Sequence, residues 1–315
     1  MRKLRVFRSV REVFAGVTRH YFQLLFVAWP ALVLLAAGFA ILYWLLERAG
    51  YSTLIELTQS NPTQEQLAEA YAAFAIAFSI PGLFGVLAMN LLASAAMAVR
   101  WHRFVLLGES RSMLLRSEDF RYIWASIKVA VLAAIVIAAF ALVGFAAFLG
   151  FGHLAPQIIG LTAEETILRD TATVGFTALL ALFILSSGAL AIALIFRMAL
   201  ALPGAAVSRM GIASALRETR GNSWRILSYV VLVFLASAAF AFITTLVVSV
   251  ILGALASIGG AMLTISLVAG TTYVAALYAY LLMLQVTMLS VAYREIISLP
   301  GEVPAEGAPE PFPAA

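Results

Sequence analysis

Six uninterrupted apolar runs constrain this chain more than any other feature. They cover approximately Tyr21 to Leu46, Ala70 to Val99, Val129 to Gly152, Thr171 to Phe196, Ile226 to Ala254 and Ala261 to Tyr293. A helix needs about 20 mostly apolar residues to cross roughly 30 Å of hydrocarbon, and every run reaches that length. Strands of a membrane barrel would be about ten residues long with alternating polarity, a pattern these runs do not carry. Composition agrees, since 63% of residues are hydrophobic and 11% are charged, against about a quarter charged in soluble domains. The sequence therefore predicts an all-α polytopic membrane bundle of six transmembrane helices arranged as three hairpins.

The formal net charge of +4 would suit a nucleic-acid-binding protein, but the positions of the charges remove that reading. Before the first run lie Arg2, Lys3, Arg5, Arg8, Arg11 and Arg19, and between the second and third lie Arg100, Arg103, Arg111, Arg116, Arg121 and Lys128. Arg197, Arg209, Arg217, Arg220 and Arg225 follow the fourth run and Arg294 ends the sixth, leaving only Arg48 and Arg169 for the opposite side. That side carries Glu47, Glu56, Glu65, Glu69, Glu164, Glu165 and Asp170. The positive-inside rule then places both termini in the cytoplasm. The dominance of Arg over Lys and the Ala-rich runs point to a GC-rich bacterium, hence to a multi-pass protein of the bacterial cytoplasmic (inner) membrane. The first run is longer than the 7 to 15 residues of a cleavable signal sequence and is read as a transmembrane helix. With no cysteine, thiolate metal sites, disulfides and cysteine nucleophiles are excluded.

Arg100, Arg197 and Arg294 stand 97 residues apart and 97 again. Arg197 leads to Leu202-Pro203-Gly204, Arg294 to Leu299-Pro300-Gly301 and Arg100, more loosely, to Leu106-Leu107-Gly108. Equal periods of this kind are the signature of internal repetition, here of units 3–99, 100–196 and 197–294 in a single membrane domain, 1–299. An amphipathic segment precedes each odd-numbered run. Leu4, Phe7, Val10, Phe14, Val17 and Tyr21 recur at helical spacing; Ser117, Glu118 and Asp119 start a helix bearing Phe120, Ile123, Trp124 and Ile127; Ile212, Ala215 and Leu216 form a shorter stripe ended by Gly221 and Asn222. Each hairpin is thus expected to follow a cytoplasmic interfacial helix whose arginines meet anionic headgroups, at roughly 1 kcal/mol per basic residue.

Small and hydroxyl residues in the fifth run (Ser228, Ser237, Thr244, Thr245, Ser249), together with Gly82, Gly85, Gly270, Thr271 and Thr272, are read as close-packing positions. Pro30 and Pro81 should kink the first two spans. Pro62 and Thr63 should start a helix running into the second span, and Thr162 with Glu165 forms a capping pattern in the second outer loop. The segment 300–315, rich in Pro and Glu, is expected to be a disordered cytoplasmic tail.

The search for chemistry returns little. No Asp or Glu lies mid-span, which weighs against proton-coupled transport and intramembrane aspartyl proteolysis. His20, His102 and His153 are dispersed at interfaces, and no HExxH, Walker A, G-x-S-x-G or GxGxxG pattern occurs. No catalytic, cofactor or metal residue is assigned. Arg100, Arg197, Arg209, Arg217, Arg220, Arg225 and Arg294 are candidate lipid or phosphate contacts, and Asn90 and Gln285 are candidate intramembrane polar contacts.

The stretch Leu200-Ala-Leu-Pro203, with Ala215-Leu-Arg-Glu-Thr-Arg-Gly-Asn-Ser-Trp-Arg-Ile-Leu227, resembles uncharacterised bacterial six-span proteins. These are similar to the membrane domain attached to some glycerophosphoryl diester phosphodiesterases and to the YciC-like inner-membrane proteins. The resemblance implies a six-span fold. The soluble phosphodiesterase domain is absent from these residues, so no catalytic residue carries over. The expected role is non-enzymatic, structural or accessory, organising anionic lipids or an unidentified membrane-protein partner through a basic cytoplasmic face, with no cofactor and no nucleic acid. The alternative is a permease-like transporter of a lipid or small amphiphile, for which Asn90 and Gln285 would line a midplane cavity. An intramembrane enzyme comes third.

Overall fold

The computed structural model describes residues 3–48, 50, 52, 56–57, 63–77, 80–109, 116–160, 166–207 and 210–297. Among them are the helices α1 (Val6–Arg48), α2 (Gln64–Ala77), α3 (Ile80–Leu107), α4 (Ser117–Gly160) and α5 (Thr166–Ala199). The short helices α6 (Ala201–Val207) and α7 (Ile212–Glu218) follow, then α8 (Ser223–Ala256) and α9 (Ala261–Ile297), with no strand among the described residues. Six segments are long and apolar enough to cross a membrane, namely Tyr21–Arg48, Phe84–Leu107, Ser117–Gly150, Ala181–Val207, Ser223–Ala256 and Ala261–Ile297. The chain is an all-α, multi-pass membrane protein. Arg209, the Thr162/Glu165 pattern, the 299–301 triplet and the tail 300–315 lie outside the described residues.

The segments leading into the odd spans take three different forms. The first is continuous with its span in α1, and the one non-helical residue inside that helix is His20 (φ −107°, ψ 18°), not Pro30. The bend thus falls where the amphipathic segment meets the apolar run. The second is part of α4 without a break, and its sequence offers no Gly or Pro before Gly144. The third is the separate helix α7, capped by Thr219 and followed by a turn in which Gly221 takes the left-handed region (φ 83°), where glycine meets no Cβ penalty.

The second run is described as two helices, α2 and α3; residues 78–79 between them, where a Pro81 kink would fall, lie outside the described residues. Thr63 does start α2: its Oγ1 accepts from the Gln66 N–H (3.3 Å), while Gln66 Oε1 accepts from the Thr63 N–H (3.1 Å). This reciprocal pair is a capping box.

The helices pair as α1 with α3, α4 with α5 and α8 with α9; α9 also packs on α1 and α3, and α5 lies along α8. The packed core is confined to one end. Its residues include Leu24, Val27 and Ala28 of α1, Trp101 and Phe104 of α3, Tyr229 and Val230 of α8, and Met283, Val291 and Tyr293 of α9. In α4 no residue between Val129 and Gly150 is buried, nor is any in α8 after Val233. Lipid tails are as apolar as the side chains they touch, so these halves experience no hydrophobic drive to close. The buried end is the arginine-rich one.

Small residues bring helices together at fewer places than expected. Thr244 and Thr245 of α8 meet the Tyr273 hydroxyl of α9 at 2.8 and 3.1 Å, whereas a Cβ at Gly85 would meet nothing within 4 Å. Among the described glycines the tightest approach is at Gly38, where a Cβ would collide with the Asn90 side-chain amide.

Candidate functional site

The three arginines spaced 97 residues apart all turn inward, each onto the amphipathic segment that precedes a span. Arg100 lies in α3 seven residues before its end, is 5% exposed, and its Nη1 lies 3.4 Å from Asp119 Oδ1 at the start of α4. The second Asp119 oxygen accepts the Arg116 backbone N–H at 2.9 Å, so this carboxylate both caps α4 and holds the preceding span. Arg197 ends α5 and donates from Nε to Thr219 Oγ1 (2.9 Å), from Nη1 to Ser223 Oγ (3.3 Å) and from Nη2 to the Leu216 carbonyl (2.6 Å). It thereby collects the open C-terminal end of α7 and the first turn of α8. Arg294, near the end of α9, reaches back to Glu12 of α1, with Nη2 2.7 Å from Oε1. Planar guanidinium groups suit such multi-point capture of carboxylates and carbonyls.

The motif around Gly221 fastens the beginning of the chain. Asn222 Oδ1 accepts the Leu4 backbone N–H at 3.3 Å and Arg225 Nη1 donates to the Leu4 carbonyl at 3.1 Å. Leu4 itself is fully buried. Thus Thr219, Asn222 and Arg225 spend their polar atoms on Arg197 and Leu4, while Trp224 of the same turn is 76% exposed.

The short helix α6 was not foreseen in the sequence. Ala201, Pro203, Gly204, Ala205 and Ala206 are buried, and α6 packs against α3, α4 and α9. Arg103 of α3 donates to the Ala206 carbonyl (2.9 Å) and grips Glu109 in a fork (2.8 to 3.0 Å). A Cβ on Gly204 would sit 2.7 Å from Met210 Cβ and 3.2 Å from Tyr293 Cε2. The glycine of the Leu-Pro-Gly triplet is therefore a close-approach position, whereas Gly108, its counterpart after α3, closes a helix at φ 69°.

His102 is fully buried rather than interfacial. Its Nδ1 is 2.7 Å from Ser290 Oγ and its Nε2 is 3.4 Å from the Tyr122 hydroxyl, while Ser290 Oγ also lies 3.1 Å from the Val286 carbonyl. The carbonyl can only accept, so Ser290 donates to it, His102 Nδ1–H donates to Ser290, and Nε2 is left to accept from Tyr122. This chain of bonds ties α3, α4 and α9. The serine hydroxyl proton is committed to a carbonyl, so the pair is not arranged as a nucleophile and its base.

Other arginines face outward. Arg217 and Arg220 are exposed, as are Arg5 just before α1 and Arg8 and Arg11 on it, and Arg225 is exposed beyond the one bond it makes to Leu4. Exposed aromatic side chains accompany them: Phe7, Phe120, Trp124 and Trp224. Lys128 Nζ sits 5.0 Å from the centre of the Trp124 ring.

Asn90 and Gln285 are not brought together. Asn90 is pressed against the α1 backbone at Gly38 and its buried Oδ1 accepts no hydrogen bond. Gln285 is exposed in a groove of about 210 Å³ between α8 and α9. The structure thus separates the two residues that would have lined a common midplane cavity. A second, much smaller cleft of about 20 Å³ lies among Arg100, Arg103, Arg116, Glu109, Glu118 and Asp119; its charges balance, and its volume suits a single water.

Sequence reasoning missed Glu12, Asp119 and Thr219 as partners of the spaced arginines. A signal existed for Glu12, the one acid in a strongly basic segment. Comparisons of the chain with known protein families, with curated proteins and with solved structures find no match.

Proposed function

We propose that this chain is a non-enzymatic structural or accessory protein of a bacterial cytoplasmic membrane. In this reading its arginine-rich end and both termini face the cytoplasm, and its outward basic surface gathers anionic lipid or a membrane-protein partner. The observation that carries the reading is the division of labour among the arginines. Arg100, Arg197 and Arg294 are consumed inside the protein, whereas Arg217 and Arg220 stand exposed beside Trp224. Aromatic side chains favour the headgroup level, and basic residues there attract anionic leaflets.

The repeat reading belongs to the same proposal. If units 3–99, 100–196 and 197–294 are equivalent, each spaced arginine holds the segment that opens the following unit, and Arg294 returns to the first. The amphipathic segments then ring the cytoplasmic face, inner sides fastened to one another and outer sides available to headgroups.

The test is retention of anionic lipid by protein purified in mild detergent from membranes containing phosphatidylglycerol. Removing two outward charges in Arg217→Gln/Arg220→Gln corresponds to about thirty-fold in partition at low salt, at roughly 1 kcal/mol each. Unchanged phosphatidylglycerol per protein would refute the lipid role. A periplasm-active reporter fused after Ala315 should be inactive, and activity there would overturn the orientation. A permease-like reading draws support from the Gln285 groove alone, because Asn90 lies elsewhere.

A further inference from the structure

We infer that the groove between α8 and α9 binds a neutral lipid alcohol, a long hydrocarbon chain ending in a free hydroxyl, through the amide of Gln285. The inference is independent of the basic rim, since no charged side chain lines this groove. Its floor is Val233, Leu284 and Met288, all nearly fully buried, and Phe234, Ala238, Ala241 and Leu281 complete an apolar wall. The polar groups are Ser237 and Gln285. Ser237 donates to the Val233 carbonyl at 2.7 Å, which leaves its oxygen able to accept. Gln285 has no hydrogen-bond partner among the described residues, so its amide offers two N–H donors and a carbonyl acceptor to whatever fills the groove.

Depth and polarity select the occupant. Ser237 stands 13 residues along α8 from the exposed Trp224, which at 1.5 Å per residue is about 20 Å from the headgroup level. An amide in that position cannot be solvated by water, and leaving it unmet is costly. An alkyl chain supplies no partner. An ester carbonyl or ether oxygen meets only the N–H side, whereas a hydroxyl both accepts from Gln285 Nε2 and donates to Gln285 Oε1 or Ser237 Oγ. An anionic headgroup has no counter-charge here, because Arg294 is nine residues further along α9, about 13 Å away, and is engaged by Glu12.

The full-length protein in lipid nanodiscs is photolabelled with a long-chain alcohol carrying a diazirine near its hydroxyl, and labelled peptides are mapped by mass spectrometry. Saturable labelling at 233–241 and 281–288, displaced by oleyl alcohol and at least three-fold less well by oleyl methyl ether or oleic acid, supports the inference. Gln285→Leu should weaken displacement by oleyl alcohol about three-fold to twenty-fold, the range of a hydrogen bond within a membrane, and leave the methyl ether unaffected. Ala241→Phe, which fills the groove, should remove the saturable component. Unsaturable labelling, equal displacement by the ether in the unmodified protein, preferential displacement by the acid, or cross-links joining the groove to a second copy would each overturn it. The alcohol-against-ether comparison uses the unmodified protein, so the inference stays testable even if a variant fails to fold.

Discussion

The contact between Arg294 and Glu12 joins α9 to α1 across 282 residues of sequence, and its two partners differ in what they do when left alone. Arg294 is 16% exposed and Glu12 12% exposed. If Glu12→Gln removes the carboxylate, the long arginine side chain can extend toward water or headgroups. If Arg294→Gln removes the guanidinium, the shorter glutamate is left charged and largely enclosed, with Oε2 already lacking a hydrogen-bond partner. A charge-assisted hydrogen bond contributes about 1.5 to 3 kcal/mol, and breaking a buried pair from one side costs about 3 to 5. Partial exposure lowers both figures. We expect Glu12→Gln to cost about 1 kcal/mol, Arg294→Gln about 2 to 3, and the double variant little more than Glu12→Gln alone. The coupling energy is then about 2 to 3 kcal/mol. The assay is a double-mutant cycle on unfolding free energies in mixed micelles, with hydrogen exchange of residues 4–19 followed in parallel. Additivity within about 0.5 kcal/mol, or a larger loss for Glu12→Gln than for Arg294→Gln, would refute the account of this contact.

Gly204→Ala should destabilise the protein by about 2 kcal/mol, as overpacking of a close contact does. Because the nearest atom is Met210 Cβ at 2.7 Å, Met210→Ala should fail to rescue it and Met210→Gly should succeed, as read by thermal unfolding in detergent. Asn222→Ala removes the acceptor for the buried Leu4 N–H and should cost about 1 to 3 kcal/mol with faster proteolysis near the N-terminus. Asn222→Asp, which keeps an acceptor, should resist; equal proteolysis of the two variants would sink the assignment.

Much of the scaffold was legible because lipid imposes a length rule and because each run is apolar all round. The six spans, the Thr63 helix start and the Gly221 turn all follow from local chemistry. What was not legible depends on partners distant in sequence. Arg100, Arg197 and Arg294 look like headgroup ligands when only their own neighbourhood is read, since Asp119, Thr219 and Glu12 become partners only in three dimensions. His102 looked interfacial beside Arg100 and Arg103, yet helical rotation turns it toward Ser290 and Tyr122. Pro30 carries the usual signal for a kink, and the bend nevertheless falls at His20. The burial of α6 was hidden because Ala-Leu-Pro-Gly-Ala-Ala reads equally well as a loop or as a tightly packed helix.

The attachment of Leu4 to Asn222 and Arg225 also bears on the order in which the molecule is made. Synthesis delivers the first hairpin into the membrane well before the turn that holds Leu4, and before the helix that carries Arg294. Until then the basic N-terminal segment has α3 to pack on but lacks the anchors that α8 and α9 supply, so part of its apolar stripe rests on lipid. Assembly of the buried end is consequently a late event that waits for the final third of the chain. A ribosome stalled after the fourth span would leave an open bundle, with Leu4 and Glu12 still accessible to a protease or a chaperone.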